Sequence, residues 1–394
     1  MISMKLHQLL LAGLLLGATA CSKVDYTEIE NPAYLRVFND LNLKIGLENK
    51  DEEQPFMCML IDPVIGADGI PTSAAIKGDF LDQREPYAPP YPSHIGASTS
   101  INNPEYPGKE NVLVGPVLNG FDLSSWAQVP AGKHRVVFYI RPKNSIPFFN
   151  LEDRLKKTVV VDTTIELGVR EVYTLHVLQR DFISKKNGII LRQENFHKLS
   201  LSDSMLYVNF YNYSANGFWS ADNNLKKNQY SSGYLQYGIR DNMNVWMSIC
   251  EQGTFNTVAG YKFKLLKNMV RDANNSSVAS YHPVPVFADA KSNGISTTVW
   301  QRITLLYPGI DPNNNPYGSL GYDPDGQYAM LSCNSTDPVK PLSDPGTLLL
   351  PNMIVNIHSG RDNPRSFATV NTIEIVNGNA YLTTVQRKYP PPIY

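Results

Sequence analysis

One strand-length pattern is written twice in this chain. Tyr34-Leu35-Arg36-Val37-Phe38-Asn39 opens with an aromatic, alternates apolar residues and ends in Asn. Tyr207-Val208-Asn209-Phe210-Tyr211-Asn212 does the same. Further on, Thr164-Ile165-Glu166-Leu167 followed by Val172–Arg180 resembles Thr372-Ile373-Glu374-Ile375 followed by Tyr381–Arg387. Between these ends, Arg135-Val136-Val137-Phe138 and Arg302-Ile303-Thr304-Leu305 hold corresponding places. Three matches in one order point to a duplicated unit. The units run over 33–182 and 205–388, with a connector at 183–204 and a tail at 389–394. Each has length enough for its own core, so each is expected to fold alone.

Both units read as β. Lys133–Ile140 is rich in β-branched and aromatic residues and follows the turn Pro130-Ala131-Gly132. Thr158–Thr164 and Glu171–Leu178 read as a hairpin across Gly168. Tyr234–Ile239 and Met243–Cys250 read as another. Asn377-Gly378, the strongest short hairpin signal, joins Thr372–Val376 to Ala380–Gln386. Helical periodicity is weak, with two turns at most over Leu151–Lys157. The expected fold class is all-β: two tandem antiparallel β-sandwich, immunoglobulin-like domains. Two proline-rich stretches, 62–112 and 308–351, read as long loop insertions.

The first twenty residues carry one cation of fixed charge, Lys5, then an apolar run from Leu9 to Ala18, then Thr19-Ala20 before Cys21. The run is too short to span a bilayer, which takes about 20 residues, and reads as a signal peptide cut after residue 20. Removing it takes net charge from −1 to −2 by the loss of that one lysine. So balanced a chain has no electrostatic footprint for nucleic acid and no polybasic patch for anionic lipid. No other apolar stretch approaches membrane length. Of the remaining cysteines, Cys58 and Cys250 read as core positions, where a thiol packs as a small hydrophobe. With Cys333 the number is odd, so at least one thiol stays free or pairs between molecules.

Small residues directly before Cys21 make the start similar to a bacterial lipoprotein signal, although Ala18 stands where that family often has Leu. The resemblance implies that Cys21 is lipidated and becomes the first residue, with 21–32 as a tether. The signal, the Tyr-Leu-Arg-Val-Phe-Asn strand, Pro-Ala-Gly before a strand and the closing Tyr-Thr-Leu strand together resemble the repeated β-sandwich domains of Bacteroidota surface lipoproteins. Such proteins often accompany SusC/SusD-type outer-membrane importers. The resemblance implies an outer-membrane location, lipid-anchored and facing outward. It carries no catalytic residue.

Nothing in the pattern converges on catalysis. No two histidines stand four apart around a glutamate, and there is no nucleophile elbow or phosphate loop. No cofactor or resident metal is expected. Asp311, Asn313 and Asn315 place oxygens at alternate positions, like the first half of a calcium loop, but they lack its sixth-position Gly and closing Glu and equally suit a turn. The aromatics are better binding candidates. Tyr87 and Tyr91 lie among prolines in the first insertion, Trp219 follows a strand end, and Trp246 shares a strand face with Asn244 and Ser248. A tryptophan on a polar face can stack a sugar ring or a peptide side chain. A second buried face or an interdomain contact would use the same residues. The expected function is a non-enzymatic accessory lipoprotein that binds glycan or peptide, or docks on an importer. The alternative is a structural or adhesive, fimbria-associated envelope protein.

Overall fold

Among the described residues sixteen strands form two sets of eight, and the second set repeats the order of the first. A computed structural model describes residues 29–41, 56–81, 84, 115–142, 144, 146–226, 235, 237–251, 256–285, 288–289, 294–295, 299–314, 329, 331–333, 348–350, 353–355 and 369–387. In the first half the strands are β1 (Ala33–Asn39), β2 (Phe56–Ile65), β3 (Pro71–Leu81), β4 (Ala127–Val129), β5 (Gly132–Arg141), β6 (Val159–Leu167), β7 (Val172–Asp181) and β8 (Lys186–Glu194). In the second they are β9 (Met205–Asn212), β10 (Asn242–Glu251), β11 (Lys264–Val270), β12 (His282–Pro285), β13 (Val299–Leu306), β14 (Met353–Val355), β15 (Thr369–Val376) and β16 (Asn379–Gln386). The first half has sheets ordered β8-β7-β1-β4 and β3-β2-β5-β6; the second has β16-β15-β9-β12 and β11-β10-β13-β14. Adding eight to each label of the first pair gives the second. Three short two-stranded ladders complete the described residues.

The copy extends to register. Tyr34 lies opposite Val172 in a parallel pair, and Tyr207 lies opposite Val370 in the other. By that register His176 of β7 corresponds to Glu374 of β15, since each faces the residue four beyond its tyrosine: Phe38 and Tyr211. The duplicated ends therefore align differently from the linear match. Thr372–Ile375 corresponds to Thr174–Val177 of β7, not to Thr164–Leu167, which belongs to the other sheet.

Other expectations are corrected in the same way. Residues 158–178 are not a hairpin: β6 pairs with β5, while β7 pairs with β1 and β8. The turn at 168–171, with Arg170 at φ +59°, switches sheets. Residues 235 and 237–239 form no strand, and the hairpin partner of β10 is β11. Residues 186–194, read as connector, are a full strand on the edge of the first sheet. Asp62–Ile65 and Pro71–Leu81, read as insertion, are the β2–β3 hairpin. The Asn377-Gly378 turn forms as expected, with Asn377 at φ +56°.

Each half has its own core, as strand alternation requires. Leu35, Val37, Leu175 and Val177 of one sheet meet Met57, Met59, Val136 and Phe138 of the other. In the second half Val208, Phe210, Ile373 and Ile375 meet Val245, Met247, Ile249 and Ile303. Each such side chain is worth roughly 1.5–3 kcal/mol of burial. Cys58 and Cys250 are both buried in the cores, as their apolar neighbours predict. All seven residues of β1 and all eight of β15 are buried, so these sheets are covered on both faces. Their second faces cover each other. Trp126, Phe121, Val172 and Phe196 pack with Val370 and Val385 at one end of this seam. Leu178 and Ile190 pack with Tyr211, Tyr213, Val376 and Tyr381 at the other. The described residues from 31 to 387 thus form one compact unit. Among the described residues no helix is long and apolar enough to cross a membrane.

Candidate functional site

Between its two apolar ends the seam holds a balanced set of charges. Glu374 Oε1 lies 2.9 Å from Arg192 Nη2 and 3.3 Å from His176 Nε2, and Glu374 Oε2 lies 2.7 Å from Arg84 Nη2. His176 Nδ1 meets Asp40 Oδ2 at 2.7 Å, and Arg84 meets Asp40 at 3.3 Å. Glu194 Oε1 lies 3.0 Å from Arg192, 3.7 Å from Arg36, and 2.6 Å from the Thr174 hydroxyl that donates to it. Three arginines thus face three carboxylates, with His176 between two of the latter. Burial alone would raise the Glu374 carboxyl; His176, Arg84 and Arg192 overcome it and hold that group well below the usual carboxylate range. The guanidinium carbons also sit over rings: Arg36 over Trp126 at 4.0 Å, Arg84 over Phe38 at 3.8 Å, and Arg192 over Tyr211 at 4.3 Å. None of these residues stood out in sequence. The available signal is a charged residue at an inward parity of a strand, such as Arg36 or Glu374.

Every member of this network is buried, and Glu194 also reaches the surface groove next to it. An open groove of about 390 Å³ lies beside it. Glu166, Gln193, Asn195 and Lys198 line it from the first half, and Ser276–Val278 from the second. Gln193 Nε2 and Lys198 Nζ both donate to Glu171 Oε2, at 2.8 and 2.5 Å, so each spends one N–H there and the lysine charge is paired. Burial would raise Glu171; the Lys198 and Gln193 bonds outweigh it and lower its pKa.

The sequence candidates fall elsewhere. Trp219 is half-buried, its ring carrying the Lys226 ammonium at 4.9 Å and the Arg240 guanidinium at 6.0 Å. Lys226 also donates to the Trp219 carbonyl at 2.6 Å, and burial pushes its pKa down to about 8 against the pull of Asp222. Trp219 thus already serves as a cation platform within its own loop. Trp219→Ala is expected to lower stability by about 1–2 kcal/mol, read by urea denaturation; an unchanged midpoint would remove it from this role. Trp246 is half-buried opposite Leu265 and Thr304, and its indole N–H is buried with no hydrogen-bond partner among the described residues. Its face is not the open polar one expected, because Ser248 and Thr304 are each 1 % exposed. Asp311 Oδ1 accepts from the Asn313 backbone N–H at 2.9 Å and side-chain amide at 3.1 Å, the geometry of a self-capped turn. Among the described residues no group of three His, Cys, Asp or Glu side chains is placed to hold a metal. Cys21, Tyr87, Tyr91 and Asn315 lie outside the described residues. The chain matches no protein-family model and no curated protein sequence.

Proposed function

We propose that this chain is a lipid-anchored cell-surface protein, a non-catalytic accessory of an outer-membrane nutrient-uptake system that binds glycan or peptide or docks on the importer. The observation that carries the reading is the open polar groove where strand β8 meets the second half. It has the size of a small-ligand site and mixes amide, hydroxyl and carboxylate groups. The strongest charges support a binding role over catalysis, since they pair with one another in the seam, and Glu194, which also lines the groove, is held by Arg36 and Arg192. The start of the chain supports the anchor through Cys21.

Two experiments test this. Cys21→Ala is expected to move the protein from the detergent to the aqueous phase on phase partitioning; unchanged partitioning sinks the anchor. Copurification of the native protein from outer membrane is expected to bring down importer subunits. Fibre or adhesin subunits in their place would favour the structural alternative.

A further inference from the structure

Two sheet edges border the groove side by side. β6 ends the sheet β3-β2-β5-β6, and β8 ends the sheet β8-β7-β1-β4. Glu166 of β6 and Gln193 of β8 both line the opening. Each strand is nine residues long. Among the described residues, no backbone hydrogen bond from outside its own sheet reaches either edge. Exposed edges normally carry lysine, proline or a bulge on the open side, because unpaired N–H and C=O groups otherwise recruit another strand. β6, Val-Val-Val-Asp-Thr-Thr-Ile-Glu-Leu, has neither lysine nor proline and is rich in residues that favour strands. Its one ladder irregularity is at Phe138/Tyr139, away from the groove end.

The charge of the opening selects among strands. Lys198 is neutralised by Glu171, and Glu194 by Arg36 and Arg192. Glu166 is exposed, with no ion pair within 4 Å among the described residues; Lys133, opposite it across the ladder, does not reach it. The groove therefore carries one uncompensated carboxylate. Next to it Gln193 spends one amide N–H on Glu171 and keeps the other N–H and its amide oxygen for a peptide backbone.

We infer that the groove takes an extended peptide carrying basic side chains, added as a further strand to the β6 edge, with a lysine or arginine of the peptide at Glu166; β8 is protected by Lys186, by its bulge at Lys186/Asn187 and by the Arg180 guanidinium on the Ile189 carbonyl. Backbone pairing supplies affinity and alternate side chains supply choice, as in other strand-addition sites. This rests on the reading of the chain as a binding protein and narrows its ligand to peptide.

Calorimetry on the detergent-solubilised full-length protein tests it with three probes: an octapeptide alternating threonine and lysine, the same peptide N-methylated at alternate residues, and a neutral oligosaccharide of glucose. The unmodified peptide is expected to bind, and more weakly at high salt. N-methylation is expected to weaken it by about tenfold or more, since it removes backbone donors worth roughly 0.5–1.5 kcal/mol each. Glu166→Gln is expected to weaken it by about threefold to fivefold, the scale of an exposed ion pair, with an unchanged melting temperature. Equal binding of the N-methylated peptide overturns strand addition, and indifference to Glu166→Gln overturns the basic preference. Binding of the oligosaccharide without the peptide overturns the inference while leaving the protein a binder. If no probe binds, the inference fails, and copurification with an importer then decides whether docking is the role.

Discussion

Glu374→Ala is expected to lower the unfolding free energy by about 3–5 kcal/mol, the range for removing one partner of a buried ion pair. The loss is large because Arg84, Arg192 and His176 all converge on this carboxylate, and none is exposed to water that would take over. Glu374→Gln keeps the volume and one acceptor but removes the charge, so it is expected to lose less. Acid should act through the same group. Its pKa is depressed in the folded state, so its contribution is fully present above the unfolded value near 4.3 and drains away as pH falls toward the folded value. Asp181, pulled down to about 2 by the Ser184 backbone N–H and the Asn216 amide, adds a contribution of the same sign. Urea midpoints from pH 7 to pH 3 should therefore fall for the wild type and fall less for Glu374→Gln. A Glu374→Ala variant within 1 kcal/mol of wild type, or parallel pH curves, would show that the seam charges do not hold the halves.

Separating the halves is expected to unfold both. The linear pattern predicts independence, but the seam argues otherwise. Every ion-pair partner of Glu374 lies in the first half, and Arg192 takes Tyr213 and Glu374 from the second. Cut in the segment 195–204, the second half keeps a buried carboxylate with no cation. The first half keeps three arginines for two carboxylates, and both lose the cover over sheets buried on each face. The cost of such stranded charges is several kcal/mol per ion, comparable to the whole stability of a domain. Calorimetry of the intact chain should give one transition, and fragments 33–194 and 205–388 should each lack a cooperative melt until mixed. Two transitions in the intact chain, or a fragment melting at the intact temperature, would restore the independent-domain picture.

Strand identity was legible because it is local. The alternation in 34–39 and 207–212, the β-branched run at 133–140 and the Asn377-Gly378 turn each encode a strand or a reversal in a few residues. The existence of a duplication was legible for the same reason, as was the burial of Cys58 and Cys250 between apolar neighbours. Pairing was not. Thr158–Leu178 carries the marks of a hairpin, yet its two strands join different sheets, because the partner of a strand is chosen by which apolar face must be covered. Lys186–Glu194 reads as a polar connector, since Arg192 and Glu194 look like solvent residues until a second sheet lies over them. His176 and Glu374 are likewise unremarkable in sequence. They become the centre of the molecule because two copies of one sheet pack face to face and bring equivalent positions together, where a charge survives burial only if an opposite charge from the other copy meets it.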